Sequence, residues 1–126
     1  MQGVNLTYLR HDVDAGCDPK CIALIAECGT EAYGRWWLLV ETMARSSDGF
    51  IDMKKPGQEQ MLVRALWFQG TESLHGFLGT IAEYGLIDAG KLAEGKVMSD
   101  SFLRRREQMI AKVEAGQKGG RPRKKE

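Results

Sequence analysis

Thr71-Glu72-Ser73-Leu74-His75-Gly76-Phe77-Leu78-Gly79-Thr80-Ile81-Ala82-Glu83-Tyr84-Gly85-Leu86-Ile87-Asp88, residues 71–88, carries the start, stripe and stop of one helix and the beginning of a strand. Leu74, Phe77, Leu78 and Ile81 recur at helical spacing, so they form one apolar stripe. Thr71 with Glu72 is read as the cap of this helix and Gly85 as its stop. Leu86-Ile87-Asp88 then reads as a short strand. Ala89-Gly90 to Gly95 reads as a glycine-bearing loop and Lys96-Val97-Met98-Ser99 as a returning strand, which together predict a hairpin.

Upstream, the punctuation is equally regular. Asp18-Pro19 starts a helix, because Asp accepts from the first free amides and Pro is preset for the first helical position. Cys21, Leu24, Ile25 and Cys28 give its stripe, and Gly29 ends it. Thr30 with Glu31 restarts a helix carrying Tyr33, Trp36, Trp37, Val40, Met43 and Ala44, an aromatic load that suits the central core helix. Asp48-Gly49 is a turn, and Phe50-Ile51-Asp52-Met53 alternates as a short strand. Pro56-Gly57 opens a third helix with Met61, Leu62, Ala65 and Leu66, closing near Gly70.

Downstream of the hairpin, Asp100 is read as the cap of a helix with Phe102, Leu103, Met109, Ile110 and Val113 on its apolar side. Arg104, Arg105 and Arg106 begin its polar face. From Gln117 to Glu126 no apolar residue is available for packing, so a disordered basic tail is expected. The fold class expected is mainly α: a winged helix in the order helix-strand-helix-helix-strand-strand, with an extra N-terminal helix and a C-terminal basic helix. The division is 1–100 for the winged-helix domain, 101–116 for the basic amphipathic helix and 117–126 for the tail.

The chain has 126 residues and a formal net charge of +1, which suits one domain and excludes a uniformly basic binder or an acidic disordered chain. That average conceals a split. Residues 1–100 hold nine Lys and Arg against fourteen Asp and Glu, a net −5; residues 101–126 hold nine against three, a net +6. A basic end on an acidic body points to a polyanion partner. No apolar run is long enough for a membrane span, and the first residues lack the blocks of a signal peptide, so a cytoplasmic protein with no membrane partner is expected. Cys17, Cys21 and Cys28, odd in number and closely spaced, read as reduced thiols rather than a disulfide framework.

His11-Asp12-Val13-Asp14-Ala15, then Asp18-Pro19-Lys20, then Gly29-Thr30-Glu31-Ala32-Tyr33-Gly34-Arg35-Trp36-Trp37-Leu38-Leu39-Val40-Glu41 resembles the opening signature of a Listeria-prophage-type domain of otherwise unknown function. Glu83-Tyr84-Gly85-Leu86-Ile87 resembles that family's end of the recognition helix and first wing strand, and Ser101-Phe102-Leu103-Arg104-Arg105 its exit helix. The similarity spans roughly residues 7–108. The resemblance implies the N-terminal domain of phage and mobile-element replication proteins, the replisome-organiser or DnaD-like group. Its expected work is binding origin DNA or bridging DNA to a helicase or its loader. Other members often carry a second domain after a basic linker. The resemblance lends no catalytic residues.

The basic tail is the strongest chemical signal. Lys118, Arg121, Arg123, Lys124 and Lys125 can each neutralise a phosphate and release counterions. Gly120-Arg121-Pro122-Arg123 resembles half of an AT-hook, with Gly119 standing where the usual pattern has Arg. Arg104, Arg105, Arg106 and Lys112 either track a phosphate backbone or form a solvated helix face. The exposed face of the fourth helix offers Glu72, Ser73, His75, Gly76, Thr80 and Glu83 and no Lys or Arg. It reads bases only if Ser73, His75 and Thr80 make the contacts and the wing, through Lys91 and Lys96, or the tail supplies charge. The alternative is a protein-binding face, making the chain an interaction adaptor. Homo-oligomerisation is left open.

Other chemistry has weaker patterns. Asp12, Asp14 and Asp18 superficially resemble a calcium loop, but Ala23 stands where a bidentate Glu is required. His11 with Cys17 and Cys21 lacks a second matched pair for zinc, and buried thiols are the expected state. A nuclease built on His11, Asp12 and Asp14 would need a bound metal. No phosphate loop, His-Glu-x-x-His or Gly-x-Ser-x-Gly occurs, so no enzyme, cofactor or metal is expected. Trp36 and Trp37, candidate stacking platforms by type, fall on the apolar stripe and are expected in the core.

Overall fold

The computed structural model describes Leu6, Leu9 and residues 11–118. After a short 3-10 turn at Ala15–Cys17, the elements are α1 (Pro19–Cys28), α2 (Thr30–Arg45), β1 (Ile51–Asp52), α3 (Gln58–Ala65), α4 (Thr71–Glu83), α5 (Ala89–Ala93), β2 (Lys96–Val97) and α6 (Asp100–Lys118). The architecture is mainly α, with one two-stranded antiparallel sheet among the described residues.

Local chemistry sets most boundaries. Asp18 accepts from the Lys20 amide at 3.2 Å and Pro19 occupies the first position of α1. Gly29, with φ +88°, separates α1 from α2. α4 ends in a Schellman turn: Leu86 donates to the Ile81 carbonyl at 2.9 Å and Gly85 to Ala82 at 3.0 Å, with Gly85 at φ +81°. The caps of two helices differ from expectation. Gly70, not Thr71, precedes α4 and provides no side-chain cap. Buried Ser99, not Asp100, caps α6, its Oγ accepting from the Phe102 amide at 3.2 Å.

The expected hairpin at 86–99 does not form. Asp88 accepts from the Lys91 amide at 2.9 Å, which starts a helical turn instead of ending a strand, and α5 fills the expected loop. The returning segment, β2, pairs with β1 across the molecule, Ile51 opposite Val97 and Asp52 opposite Lys96. Between the two expected hairpin arms, the Asp88 amide donates to the Met98 carbonyl at 2.8 Å, a single tie and not a ladder.

α3 stops at Ala65, short of the expected limit near Gly70. It too ends in a Schellman turn, Phe68 donating to Val63 at 2.9 Å and Trp67 to Arg64 at 3.2 Å. Here Trp67, at φ +62°, takes the left-handed position that glycine fills after α4. α6 passes residue 116, its expected limit, and runs to Lys118; one helical glycine, Gly116, costs only about 1 kcal/mol.

The core is continuous from α1 to α6. Leu24, Leu39, Met43, Leu62, Leu66, Leu74, Leu78, Ile81 and Val97 are fully buried. α2 packs on both α1 and α3, so it buries more than one stripe; Ala32 and Leu39 join the expected Trp36, Val40, Met43 and Ala44, whereas Tyr33 and Trp37 are half-buried. On α1 the inward stripe is Cys21 and Leu24, and Cys28 is exposed with Cys17. Among the described residues no helix is long and apolar enough to cross a membrane.

Candidate nucleic-acid interface

The sheet gathers lysines from two distant segments. Because β1 pairs with β2, the turn that follows β1 lies against the turn that precedes β2. The Met53 amide donates to the Gly95 carbonyl at 2.8 Å. A Cβ on Gly95, which sits at φ +86°, would come within 3.2 Å of the Lys54 side chain, so the Lys54 stem lies along this glycine. Asp52 shapes the turn by accepting from the Lys54 amide at 3.0 Å. Lys54 and Lys55 therefore join Lys96, on β2, at one end of the sheet, beside α5, which packs on β2 and carries Lys91 at its middle. Lys54 and Lys55 are exposed and Lys91 and Lys96 half-exposed. Glu94 lies 3.9 Å from Lys91 and offsets part of that charge. Sequence reasoning misses Lys54 and Lys55 because their proximity depends on a strand pairing that the hairpin expectation assigns elsewhere.

The arginines of α6 divide. Arg104 and Arg105 are exposed and face separate clefts. Arg104 shares a cleft of about 240 Å³ with Lys20, Asp88, Ser99, Asp100 and Ser101. Arg105 lines a cleft of about 620 Å³ whose rim includes Asp12, Asp14, Asp18 and Lys20. Arg106 is drawn inward: it is 8% exposed, and its Nη2 donates to the Ser47 carbonyl at 2.6 Å. It fastens α6 to the loop before β1, which takes it out of the expected set of phosphate contacts. Lys112 is exposed further along α6, and Lys118 is its last residue. Arg121, Arg123, Lys124 and Lys125, with the half AT-hook and most of the expected tail, lie outside the described residues.

On α4 the expected base-reading side chains have other engagements. His75 Nε2 meets Glu59 Oε2, joining α4 to α3. Thr80 Oγ1 donates to the Gly76 carbonyl at 3.0 Å. Ser73 is exposed. The outward face of α4 carries Glu72 and Glu83 and no cation, as its sequence requires.

The expectations for the tryptophans and thiols separate in the same way. Trp36 is buried, and Trp37 is covered on one face by His11, whose ring stacks on it with centroids 3.9 Å apart and planes 14° from parallel. Trp67, which no sequence pattern singles out, is 77% exposed. Burial pushes the Cys21 thiol up from its ordinary pKa, and Asp18 adds to the shift. Cys17 and Cys28 are exposed, contrary to the expectation of buried thiols, because Cys17 ends the 3-10 turn ahead of α1 and Cys28 is the last residue of α1, both away from its packed middle. Among the described residues no three His, Cys, Asp or Glu side chains come together in a way that could hold a metal ion.

Fold and surface define a small, mainly helical domain with a lysine-rich end and a basic exit helix. Residues 8–102 match the family described as Lin1244/Lin1753-like, N-terminal, and the chain belongs to that family, the Listeria-prophage-type group its opening signature resembles. No curated protein and no solved structure shows significant similarity to it.

Proposed function

We propose that this chain is a non-enzymatic DNA-binding protein of phage or mobile-element replication. Its core is a winged-helix-type module that holds duplex DNA chiefly by the phosphate backbone, in the cytoplasm of a bacterial cell. The observation that carries this reading is the convergence of Lys54, Lys55, Lys91 and Lys96 on one end of the sheet, in a body whose overall charge is negative. Lysine ammonium groups neutralise phosphates without reading bases. Lys118, Arg121, Arg123, Lys124 and Lys125 extend the same chemistry along the chain. A helicase or its loader is the protein partner such a module would bring to DNA.

α4 supports a second reading. Its exposed face carries two carboxylates and no cation, so it repels phosphate and suits a protein surface better than a major groove. In the adaptor reading this face docks on a replication or host protein.

Gel-shift titration of a duplex tests the choice, using the full chain, a Lys54→Glu/Lys55→Glu variant and a chain lacking residues 117–126. The DNA reading expects both changes to weaken binding, the charge reversal by at least about ten-fold at low salt, since each phosphate contact adds to a counterion-release term. Absence of binding at low salt, or affinity indifferent to both changes, would transfer the weight to the adaptor.

A further inference from the structure

The connector between α3 and α4 presents an indole to solvent on a rigid mount. Leu66, just before Trp67, is fully buried, and Phe68, just after it, packs on Phe77 with ring centroids 5.5 Å apart. Arg35 of α2 reaches this turn from below. Its Nε donates to the Leu66 carbonyl at 2.9 Å and its Nη2 to the Trp67 carbonyl at 3.2 Å, while the guanidinium lies 4.3 Å over the Phe68 ring. With both backbone neighbours anchored and its own N–H bonded to Arg64, Trp67 has a fixed backbone and an exposed ring. A non-glycine residue at φ +62° carries a conformational cost, and Trp67 is the only one among the described residues.

The surroundings decide what such a ring would meet. A protein interface needs a contiguous apolar centre. Among the described residues, no other large exposed apolar side chain lies on α3, α4 or their connector. The exposed neighbours within seven residues along the chain are Gln60, Arg64, Gln69, Thr71, Glu72 and Ser73, and the Arg35 charge is partly offset by Glu31 at 3.3 Å. A lone exposed indole with exposed Arg64 three residues before it and Gln69 two after fits a base with its phosphate on the Arg64 side, since Glu72, five residues on, disfavours phosphate at the start of α4. Inside a duplex both faces of each base are covered by stacking, so apart from the two end pairs a flat side chain finds a ready partner on an unpaired strand.

We propose that Trp67 is a stacking platform for single-stranded DNA, with Arg64 contacting the adjacent phosphate and Arg35 acting as a positioning residue. This rests on the DNA reading above and adds the strand form that the α3–α4 connector recognises. It implies that the chain holds duplex and single strand at different places, the lysine end and the indole.

The test uses the full chain with an oligo(dT) 20-mer and, separately, a blunt duplex of equal length, both at low salt. Trp36 is buried and Trp37 half-buried, so quenching of tryptophan emission by oligo(dT) reports mainly on Trp67. Saturable quenching is expected. With affinity read from the anisotropy of end-labelled oligonucleotides, Trp67→Ala should lower oligo(dT) affinity about ten-fold, the scale of one lost base stack, and leave duplex affinity within about two-fold. Trp67→Phe should retain most of the single-strand affinity, and circular dichroism checks that both variants are folded. An unchanged oligo(dT) affinity in Trp67→Ala, with duplex binding intact, overturns the platform and leaves the DNA reading standing. Failure of the unaltered chain to bind either form overturns both. Emission that responds to protein concentration and not to oligo(dT) would assign Trp67 to contact with a second copy, also overturning the proposal.

Discussion

Replacing Trp67 by glycine and by alanine separates the cost of its backbone from the contribution of its ring. Both substitutions remove the ring, whose buried quarter corresponds to roughly 50 Å² and about 1 kcal/mol. They differ in what they do at φ +62°. Alanine keeps a Cβ in the left-handed region, at a cost of about 1–2 kcal/mol, and glycine removes that cost. Glycine gives back about 0.4–1 kcal/mol through the greater freedom of its unfolded chain. Trp67→Gly should therefore be more stable than Trp67→Ala by about 0.5–1 kcal/mol, and close to the unaltered protein. For a domain of this size that is a melting-temperature gap of roughly 2–6 °C, readable by circular dichroism at 222 nm. The opposite exchange at the matching position after α4, Gly85→Ala, should lose a similar amount; an added Cβ there would come no nearer than 3.5 Å to the Lys20 side chain, so strain and not collision sets its cost. A Trp67→Ala protein as stable as Trp67→Gly would refute the left-handed assignment and the reasoning built on it.

Arg35→Ala removes two charge-assisted hydrogen bonds to carbonyls and a cation-π contact, so urea unfolding should show a loss of about 2–3 kcal/mol. Arg35→Lys should recover less than half of it, because an ammonium cannot span both carbonyls as the planar fork does. Gly49 and Gly57 share φ +81°, yet a Cβ on Gly49 would lie 2.7 Å from Arg106 Cδ, whereas one on Gly57 meets nothing within 4 Å. Gly49→Ala should thus cost clearly more than Gly57→Ala, the latter near about 1 kcal/mol from backbone strain alone; equal costs in thermal melts would contradict the packing of α6 on this loop. Under native conditions at mildly alkaline pH, iodoacetamide should modify Cys17 and Cys28 quickly and Cys21 only on unfolding, by mass spectrometry, since burial holds the Cys21 thiol protonated. Rapid triple modification would show that α1 is not docked as described.

Much of the helical order is legible in the sequence because each boundary has its own residue chemistry: Asp18-Pro19, Gly29 and Gly85 act through local bonds and φ values that need no tertiary context. The hairpin expectation fails for a related reason. Leu86-Ile87-Asp88 has the apolar content of a strand, but the same Asp that ends such a run can cap a helix, and only the pairing of β2 with β1 decides between them. That long-range choice also hides the lysine end, since Lys54 and Lys55 become neighbours of Lys91 and Lys96 only after the strands pair. Arg106 groups with Arg104 and Arg105 in the sequence because a run of like residues carries no mark of which one faces inward; the Ser47 carbonyl supplies it. Trp67 escapes notice because tryptophan is ordinarily well buried and its exposure follows from a Schellman turn with no glycine to announce it.

Binding of duplex DNA through phosphates is tested most directly by the equilibrium affinity of the full chain for a duplex across a salt series. Four lysines at the sheet end would give a slope of log affinity against log salt near about −3.6, at about −0.9 per phosphate, and tail contacts would steepen it. A slope of about −4 or steeper, falling in magnitude by about two in a Lys54→Ala/Lys55→Ala variant, is the predicted result. A slope near zero, or one that the double substitution leaves unchanged, would contradict it.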